Sequence, residues 1–422
     1  VSSEANLGAS AGPLTFNGGT LENTASFTST RNVTLNGAGT FLTDADLIID
    51  GVVSGAGTLT KEGGPTLVLN GANTYTGQTL VSNGTLQAGN ASAFGDPTNT
   101  LQVTSSGVAD LGGFDVSQLA VHLSGNGEIR GGTLRDVLTF AQSGGTMAAT
   151  SYSTDYALTG GTMSGSVIAA TQYEQDGGLT SGAVATTQYQ LTGGTLSGSA
   201  DTSVFDLTDN GAVSAAGLID IDNVIPGGRV TQNGANTVMA GTVAGQSGIG
   251  NAPLYALVEG TMAGTVHADA YQQSGGLTSG TVIATQFVFT GGTMNGGATT
   301  GTYSQSGGLT QGTVAATKVE QSGGTMAGTA DAGTYQLTGG LISGTATAAI
   351  LFDMQAGTVG GHLTGAGTLV KSGTGTVILS GTNTYTGGTV VQAGTLVGNA
   401  DSIRGNLSND AAVVFDQAAD AL

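Results

Sequence analysis

The side chains best suited to catalysis in this sequence are few and widely separated. Three histidines, His122, His267 and His362, lie far apart in the chain and in unrelated local surroundings. A Ser-His-Asp site assembles in space rather than in sequence, but no Gly-x-Ser-x-Gly motif is present. We interpret the histidines as solvent-facing strand residues and predict that the chain is not an enzyme, with a triad as the minor alternative.

A stretch in the middle of the chain holds the densest group of carboxylates. Carboxylates and basic residues facing one groove would suit a polysaccharide lyase or hydrolase, but Arg229 is the only Lys or Arg between residues 136 and 317. Calcium prefers oxygen ligands of this kind, yet neither a calcium-binding nonapeptide nor an EF-hand loop occurs. We predict no cofactor, keep Ca²⁺ as an alternative, and expect these carboxylates to bind a partner: Asp201, Asp206, Asp209, Asp220 and Asp222.

The composition predicts the elements that hold these residues. Gly accounts for 76 of 422 residues and Pro for 5, and only 9% of residues are charged. Without a three-residue glycine step the chain is not collagen-like, and a disordered chain would carry more charge and more Pro. The net charge of −20 disfavours nucleic acid and anionic membranes as partners, and no apolar run approaches the roughly 20 residues that span a bilayer. We expect an ordered, glycine-cornered, all-β chain.

One large apolar residue recurs at a near-fixed step through the middle of the chain. A fixed period of this kind indicates a stacked solenoid, and segments such as 281–289 alternate like strands. The rings fit an internal ladder, so their neighbours Gln272, Gln286, Ser304 and Gln336 should point outward. The ladder comprises Tyr156, Tyr173, Tyr189 and Phe205 at steps of 17, 16 and 16, then Tyr255, Tyr271, Phe287, Tyr303, Val319, Tyr335 and Leu351 at steps of 16.

The coil length and the section boundaries are less sharply marked. Gly-Gly-Thr-Met alternates with Gly-Gly-Leu-Thr, which leaves a double-length coil of about 32 residues open, although one ring per coil favours about 16 residues. The repeat weakens between 201 and 258, where the ladder can be threaded through Ile221 and Val238 to Tyr255. We divide the chain into residues 1–140, 141–352 and 353–422, and predict that the acidic stretch and the loop 245–253 make the specific contact, because insertions into a solenoid project from one face.

Two segments on either side of the tight repeat match each other closely. Residues 55–84 and 365–394 align without a gap and are identical at 18 of 30 positions. They resemble the autotransporter-associated β-strand repeat of passenger domains in bacterial type V secretion, of the AIDA-like adhesin type. We assign the copies to 55–90 and 365–399. The matching positions are Gly55, Gly57, Leu59, Lys61, Asn73, Tyr75, Gly77 and Gly84 in the first copy, and Gly365, Gly367, Leu369, Lys371, Asn383, Tyr385, Gly387 and Gly394 in the second.

The resemblance implies a right-handed parallel β-helix exported through a C-terminal outer-membrane barrel, which we expect in the full-length protein beyond this segment. We read the Asn-Thr-Tyr-Thr-Gly motif as structural: the Asn should bond its own backbone at a corner, and Tyr and Thr should begin the following strand. The implied function is a surface adhesin or self-associating protein that contacts a host surface, matrix protein or glycan, or its own copies on other cells. A released effector or toxin and an inert stalk remain alternatives, and the location is the bacterial surface or the medium.

Overall fold

Parallel β-strands dominate the structure of this chain. The structure, a computed structural model, describes residues 1–9, 12–221, 228–245 and 251–416. The chain divides into two compact units, Val1–Thr202 and Ser203–Leu422, and each unit is a parallel β-solenoid, which confirms the predicted fold class. The described residues contain one short 3₁₀ helix, η1 (Glu4–Leu7), and none of their helices has the length and apolarity of a membrane span.

The strands of the first unit lengthen along the chain as neighbouring strands of one coil merge. They are β1 Leu14–Phe16, β2 Thr20–Asn23, β3 Phe27–Ser29, β4 Val33–Leu35, β5 Gly39–Thr43, β6 Leu47–Ile49, β7 Val53–Gly55, β8 Leu59–Glu62, β9 Thr66–Leu69, β10 Thr79–Ala88, β11 Thr100–Asp110, β12 Asp115–Ser117, β13 Ala120–Leu123, β14 Glu128–Arg130, β15 Thr133–Met147, β16 Thr150–Met163, β17 Ser166–Thr180 and β18 Ala183–Leu196.

The strand β19 (Ser199–Thr208) contains the division between the units. The second unit continues with β20 Ala212–Val213, β21 Leu218–Ile221, β22 Arg229–Asn233, β23 Val238–Met239, β24 Thr242–Gly245, β25 Ala252–Leu257, β26 Thr261–Met262, β27 Thr265–Gln273, β28 Leu277–Thr278, β29 Thr281–Phe289, β30 Thr293–Met294, β31 Gly297–Gln305, β32 Leu309–Thr310, β33 Thr313–Gln321, β34 Thr325–Met326, β35 Thr329–Leu337, β36 Leu341–Ile342, β37 Thr345–Met354, β38 Gly357–Val359, β39 His362–Thr364, β40 Thr368–Lys371, β41 Thr376–Leu379, β42 Thr389–Val391, β43 Thr395–Gly398, β44 Leu407–Asn409 and β45 Ala412–Phe415.

The tight repeat has the shorter of the two coil lengths that the sequence left open. In the second unit Tyr271 pairs with Phe287, and Phe287 pairs with Tyr303, so the residue number advances by 16 at each coil. Each coil contains one long strand with two consecutive stretches, followed by a separate two-residue strand. These three segments pair with the same segments of the next coil, so the stacked coils form three parallel sheets. The alternation of Thr-Met with Leu-Thr is therefore a change of interior residue from coil to coil, and it does not mark a longer coil.

Glycine occupies the corners because the stacked coils leave no room for a side chain there. Gly292 has φ of 82°, which favours glycine. At Gly296 a Cβ atom would lie 1.9 Å from the backbone oxygen of Gly280 in the preceding coil. These corners recur once in every coil of the tight repeat, which explains much of the high glycine content.

The coils outside the tight repeat are longer. Leu21, Phe41 and Lys61 face one another on successive coils at steps of 20, and the next step, to Val81, is also 20. Near the other end of the chain Leu369 pairs with Thr389, which is again a step of 20. These coils of the sections assigned to 1–140 and 353–422 are therefore longer than the 16-residue coils of the tight repeat, while the section boundaries stay a prediction.

The aromatic ladder lies inside the solenoid, where its rings contact one another. Tyr255 and Tyr271 stack with centroids 5.2 Å apart, and Tyr156 and Tyr173 stack at 5.1 Å. Phe140 stacks on Tyr156 at 4.4 Å and extends the ladder by one rung. Sequence reasoning missed this ring, although its spacing from Tyr156 equals the period of the ladder. The residues that flank the rungs point outward, as the alternation predicts.

Two assignments of ladder positions were wrong. Tyr335 pairs with Phe352 rather than Leu351, because one extra residue enters this coil and Ile350 bulges outward with 70% of its surface exposed. In the acidic stretch Phe205 pairs with Val230, which pairs with Tyr255, so Ile221 and Val238 are not rungs. Both of these steps advance the residue number by 25. This stretch therefore contains two enlarged coils, and a search for steps of 16 or 17 passes over them.

The buried tyrosines predict a steep loss of stability at alkaline pH. Burial raises the pKa of nine tyrosine hydroxyls in the described residues above the ordinary value of about 10. Their stabilising contribution is complete below pH 10. It is lost as pH rises further, because only the unfolded chain ionises there, at about 1.4 kcal/mol per tyrosine and pH unit. We expect tyrosinate absorbance near 295 nm to appear together with the loss of far-UV circular dichroism. Gradual ionisation of the nine buried tyrosines with intact β-structure would contradict the buried ladder.

Candidate functional site

Glutamine side chains in the interior tie the ladder to neighbouring coils and are unavailable for binding. The Tyr335 hydroxyl donates to Gln321 Oε1 at 2.6 Å, and Gln321 Nε2 donates to the backbone oxygen of Leu341 at 3.1 Å. Tyr255 and Gln232 repeat the first contact at 2.6 Å. Buried polar groups that are paired in this way stabilise one register. The ladder is thus a structural feature rather than a strip for stacking sugars.

The rung at Val319 departs from this pattern. Val319 occupies the position where a tyrosine would reach back to Gln305, as Tyr335 reaches back to Gln321. Gln305 is 1% exposed, and its Oε1 has no hydrogen-bond partner within the described part of the chain. Its Nε2 still donates to the backbone oxygens of Gly307, Gly308 and Thr325 at 3.2, 3.3 and 3.2 Å. Gln305 therefore keeps one unsatisfied acceptor beside this rung, whereas at the Phe287 rung, which also lacks a hydroxyl, Thr278 Oγ1 donates to Gln273 Oε1 at 2.9 Å.

The asparagines of the two matching segments connect three coils each. Asn73 Oδ1 accepts from the Val53 amide at 2.7 Å, and its Nδ2 donates to the Ala93 oxygen at 2.6 Å. Asn383 makes the corresponding bonds to Leu363 and Ser402 at 2.8 and 2.7 Å. The expectation that this Asn bonds its own backbone was wrong, because the amide is buried and spans from the coil before to the coil after.

The tyrosine of the same motif lies in the interior and outside any strand. Tyr75 is fully buried, and its hydroxyl hydrogen-bonds Thr79 Oγ1 at 2.6 Å. Tyr385 and Thr389 form the same pair at 2.7 Å. The expected strand from Tyr75 onward begins only at Thr79. Gly77 and Gly387 follow at corners, where a Cβ at Gly77 would lie 2.3 Å from the oxygen of Gly57.

The lysines of the motif are buried caps for backbone carbonyls. Lys61 is fully buried, and its Nζ donates to the oxygens of Glu62, Gly63 and Asn83 at 2.7, 2.7 and 3.1 Å. Lys371 donates to three oxygens in the same arrangement. Burial lowers the pKa of Lys61 to about 8. The sequence marked both lysines only as motif positions, since a lone lysine gives no sign of being buried.

The structure describes four of the five predicted carboxylates, which lie on two strands and a turn. Asp201 lies in the first unit; in the second, Asp206 is 3.9 Å from Arg229, Asp209 lies on an exposed turn and Asp220 lies in β21. Asp222 and residues 246–250 of the predicted contact loop lie outside the described residues. Within the described ranges no group of three or more His, Asp and Glu side chains could hold a metal ion. Binding by these carboxylates, with or without calcium, stays a prediction.

The outward face of the second unit presents rows of mainly polar side chains. The row beside the rungs contains Gln272, Val288, Ser304, Glu320 and Gln336, each paired with the next coil. Between Asp269 and Asp331 the only charged residues are Lys318 and Glu320, which form an ion pair at 2.6 Å. A shallow cleft of about 400 Å³ is lined by Glu320 of this pair and reaches the turn residues Ser306, Ser322 and Thr338.

A second groove, in the first unit, is largely apolar. Arg135 and Asp136 stand opposite the single residue Tyr152 in a β-bulge, and Asp136 has φ of 57°. The Arg135 guanidinium lies 4.0 Å from the centre of the Tyr152 ring. Leu119, Leu138 and Ile168 complete a groove of about 450 Å³ and are 43%, 51% and 38% exposed. Sequence reasoning did not identify this surface.

Comparisons with known proteins agree with the fold and the motif. The passenger-associated-transport-repeat family matches residues 59–88 and 369–397, which lie within the two predicted copies. The chain is 39% identical over 145 residues to the protein called adhesin BmaC autotransporter of Brucella suis biovar 1 (strain 1330). That alignment covers 33% of this chain and 4% of the relative, so the chain spans only a small part of the relative's length. No solved structure matches the chain significantly.

These findings support the resemblance drawn from the sequence. The chain carries two passenger-associated transport repeats, and this match together with the similarity to an autotransporter adhesin supports the interpretation that it is a segment of an autotransporter passenger. The residues of the two repeats staple neighbouring coils, so the repeat itself has a structural role. The buried Asn, Tyr and Lys side chains of the repeats are therefore unavailable for binding.

The three-coil asparagine predicts a large stability loss from a small substitution. Asn73→Ala leaves the Val53 amide and the Ala93 carbonyl without their side-chain partner in a buried site. At about 1–3 kcal/mol for each of the two unsatisfied groups, the loss is about 2–6 kcal/mol. Asn70→Ala removes an exposed amide three positions earlier, whose Nδ2 reaches only Asp50 at 2.7 Å, and should cost little. Thermal unfolding followed by circular dichroism compares the two variants, and equal shifts would contradict the staple.

Proposed function

We propose that this passenger segment acts as a bacterial adhesin or self-associating surface protein. Its mechanism is multivalent contact, in which outward rows of polar side chains each contribute weakly and add through avidity. The observation that carries this proposal is the repetition of mostly uncharged polar positions on one face, once in every coil of the tight repeat. A similar surface at each coil suits a repetitive partner, such as a glycan, a matrix protein or a second copy of the chain.

A binding role also fits what lines the outward face. Its residues are mostly Gln, Ser and Thr, and the histidines lie on separate strands, with His122 and His362 exposed. The similarity to a protein named as an adhesin supports binding rather than catalysis. We infer that the segment is displayed at the cell surface or released from it, as the transport repeats suggest. Its partner is a host surface or the same protein on a neighbouring cell.

The proposal is tested by displaying the chain on a non-aggregating bacterium and scoring attachment and settling. Wild-type chain should promote attachment to a panel of matrix proteins and glycans, or settling of the cells. The absence of both attachment and settling of the displaying cells would overturn the proposal, because a chain that promotes neither is not an adhesin or a self-associating protein. It would favour an inert stalk, or an effector if the purified chain then acted on host cells.

Coil deletions in register separate multivalent contact from a single site. Removing residues 271–286 joins Ala270 to Phe287, which takes the register of Tyr271, so one coil is lost and the ladder continues. We expect attachment to weaken by a few-fold for each coil removed in this way.

Removing residues 205–229 deletes one enlarged coil, because Val230 takes the register of Phe205. The deleted coil carries four of the five predicted carboxylates: Asp206, Asp209, Asp220 and Asp222. If these carboxylates make the specific contact, this deletion should reduce attachment at least tenfold more than the deletion of 271–286. Equal effects would overturn the assignment of the acidic stretch and leave the multivalent mechanism in place.

A further inference from the structure

The cleft beside Glu320 differs from the rest of the outward face in two ways. It is concave, and it is lined by Glu320, which with Lys318 is one of the only two charged residues between Asp269 and Asp331. The irregular rung Val319 lies between Lys318 and Glu320 in the sequence. The coil whose interior rung is a valine is thus also the coil whose surface carries the ion pair.

The polar groups of the cleft are held in place by one another. Lys318 Nζ lies 2.6 Å from Glu320 Oε1, and Ser304 Oγ donates to Glu320 Oε2 at 3.0 Å. The hydrogen bonds from Lys318 and Ser304 hold the pKa of Glu320 below its ordinary value. Both charged side chains remain about 40% exposed. A carboxylate acceptor and an ammonium donor are therefore presented side by side with little remaining freedom.

We propose that this cleft binds one unit of a neutral, hydroxyl-rich saccharide. Glu320 accepts from sugar hydroxyls, which gives charge-assisted hydrogen bonds, and Lys318, which lies outside the cleft lining, holds the carboxylate in place. The hydroxyls of Ser306, Ser322 and Thr338 line the far side of the cleft. Val288, which is 36% exposed, offers an apolar surface to the C–H face of a ring. The inference rests on the proposed adhesin function and names the ligand class of one contact.

Other ligand classes fit this cleft less well. An anion would meet the carboxylate of Glu320 and a chain with a net charge of −20. A metal ion would need more oxygen ligands from carboxylates than one glutamate supplies. An apolar ligand would desolvate the serine hydroxyls and the ion pair without replacing their contacts with water. A neutral polyol satisfies donors and acceptors of both signs at once.

The first test measures binding of soluble saccharides to the whole chain. The probes are a panel of neutral mono- and disaccharides, with sialic acid as the anionic comparison, followed by saturation-transfer NMR and calorimetry. We expect weak binding of at least one neutral sugar and at least tenfold weaker binding of sialic acid. No binding of any neutral sugar, or equal binding of sialic acid, would overturn the proposal.

A matched pair of variants locates the binding. Glu320→Gln removes the charged acceptor and should weaken saccharide binding at least tenfold. Asp331→Asn removes one negative charge from an exposed position of the next coil, outside the cleft, and should leave binding unchanged. Equal effects of both variants, or none from either, would overturn the assignment to this cleft, with circular dichroism and thermal unfolding confirming that both variants fold.

The display assay separates this inference from the proposed function. If displayed wild-type chain attaches to surfaces while Glu320→Gln leaves saccharide binding unchanged, the adhesin function stands and the cleft assignment fails. If wild-type chain never attaches but binds saccharide through Glu320, the cleft assignment stands and the adhesin function fails. Loss of both attachment and saccharide binding in Glu320→Gln, with neither lost in Asp331→Asn, supports both.

Discussion

The close approach of one coil to the next is the constraint on which the rest of this structure depends. Parallel strands stack about 4.8 Å apart, and at the corners this spacing leaves no volume for a Cβ atom. At Gly296 and Gly57 such an atom would lie 1.9 Å from a carbonyl oxygen of the preceding coil. Glycine is therefore required at corners, and the chain can repeat only where its sequence returns a glycine at the same phase. The period of the sequence follows from this requirement as much as from the buried rings.

The interior combines apolar stacking with hydrogen bonds that run along the solenoid axis. Columns of Leu, Val and aromatic side chains supply the buried apolar area. Burial of this area alone would not prevent a coil from shifting by two residues relative to its neighbour. Asn73 and Gln321 specify the register, because each joins groups on different coils through a short amide. Lys61 extends the same principle to a corner where three carbonyl oxygens converge. If one of these side chains is removed or shifted, its hydrogen-bond partners stay buried and unpaired. A coil that is out of register is therefore less stable.

The sequence predicted the parts of the fold that repeat and failed where the repeat length changes. The regular step from Tyr271 to Phe287 placed both rings correctly, since each ring has the same neighbours in every coil. At Phe352 an inserted residue moves the rung by one position, and at Val230 the rung is a small residue in an enlarged coil. Neither change alters the local strand pattern, so only the pairing of backbones reveals it.

The candidate sites were harder to predict than the fold, because they depend on which coils lie together. Tyr152 lies outside the phase of the ladder, but the sequence does not show that a bulge brings the Arg135 guanidinium over its ring.

A regular solenoid presents the same surface at every coil, so any specificity must come from positions that break the pattern. The interior tolerates few such breaks, since each must still satisfy its neighbours along the axis. Val319 is one that it does tolerate: the stack continues, the amide of Gln305 keeps its donors bonded, and only one acceptor is left unsatisfied. On the surface of the same coil stands an ion pair that no neighbouring coil of the tight repeat carries in its sequence. Positions that depart from the repeat are therefore where solenoids of this kind can differ in what they bind. The stacking of the coils, and with it the fold, is kept.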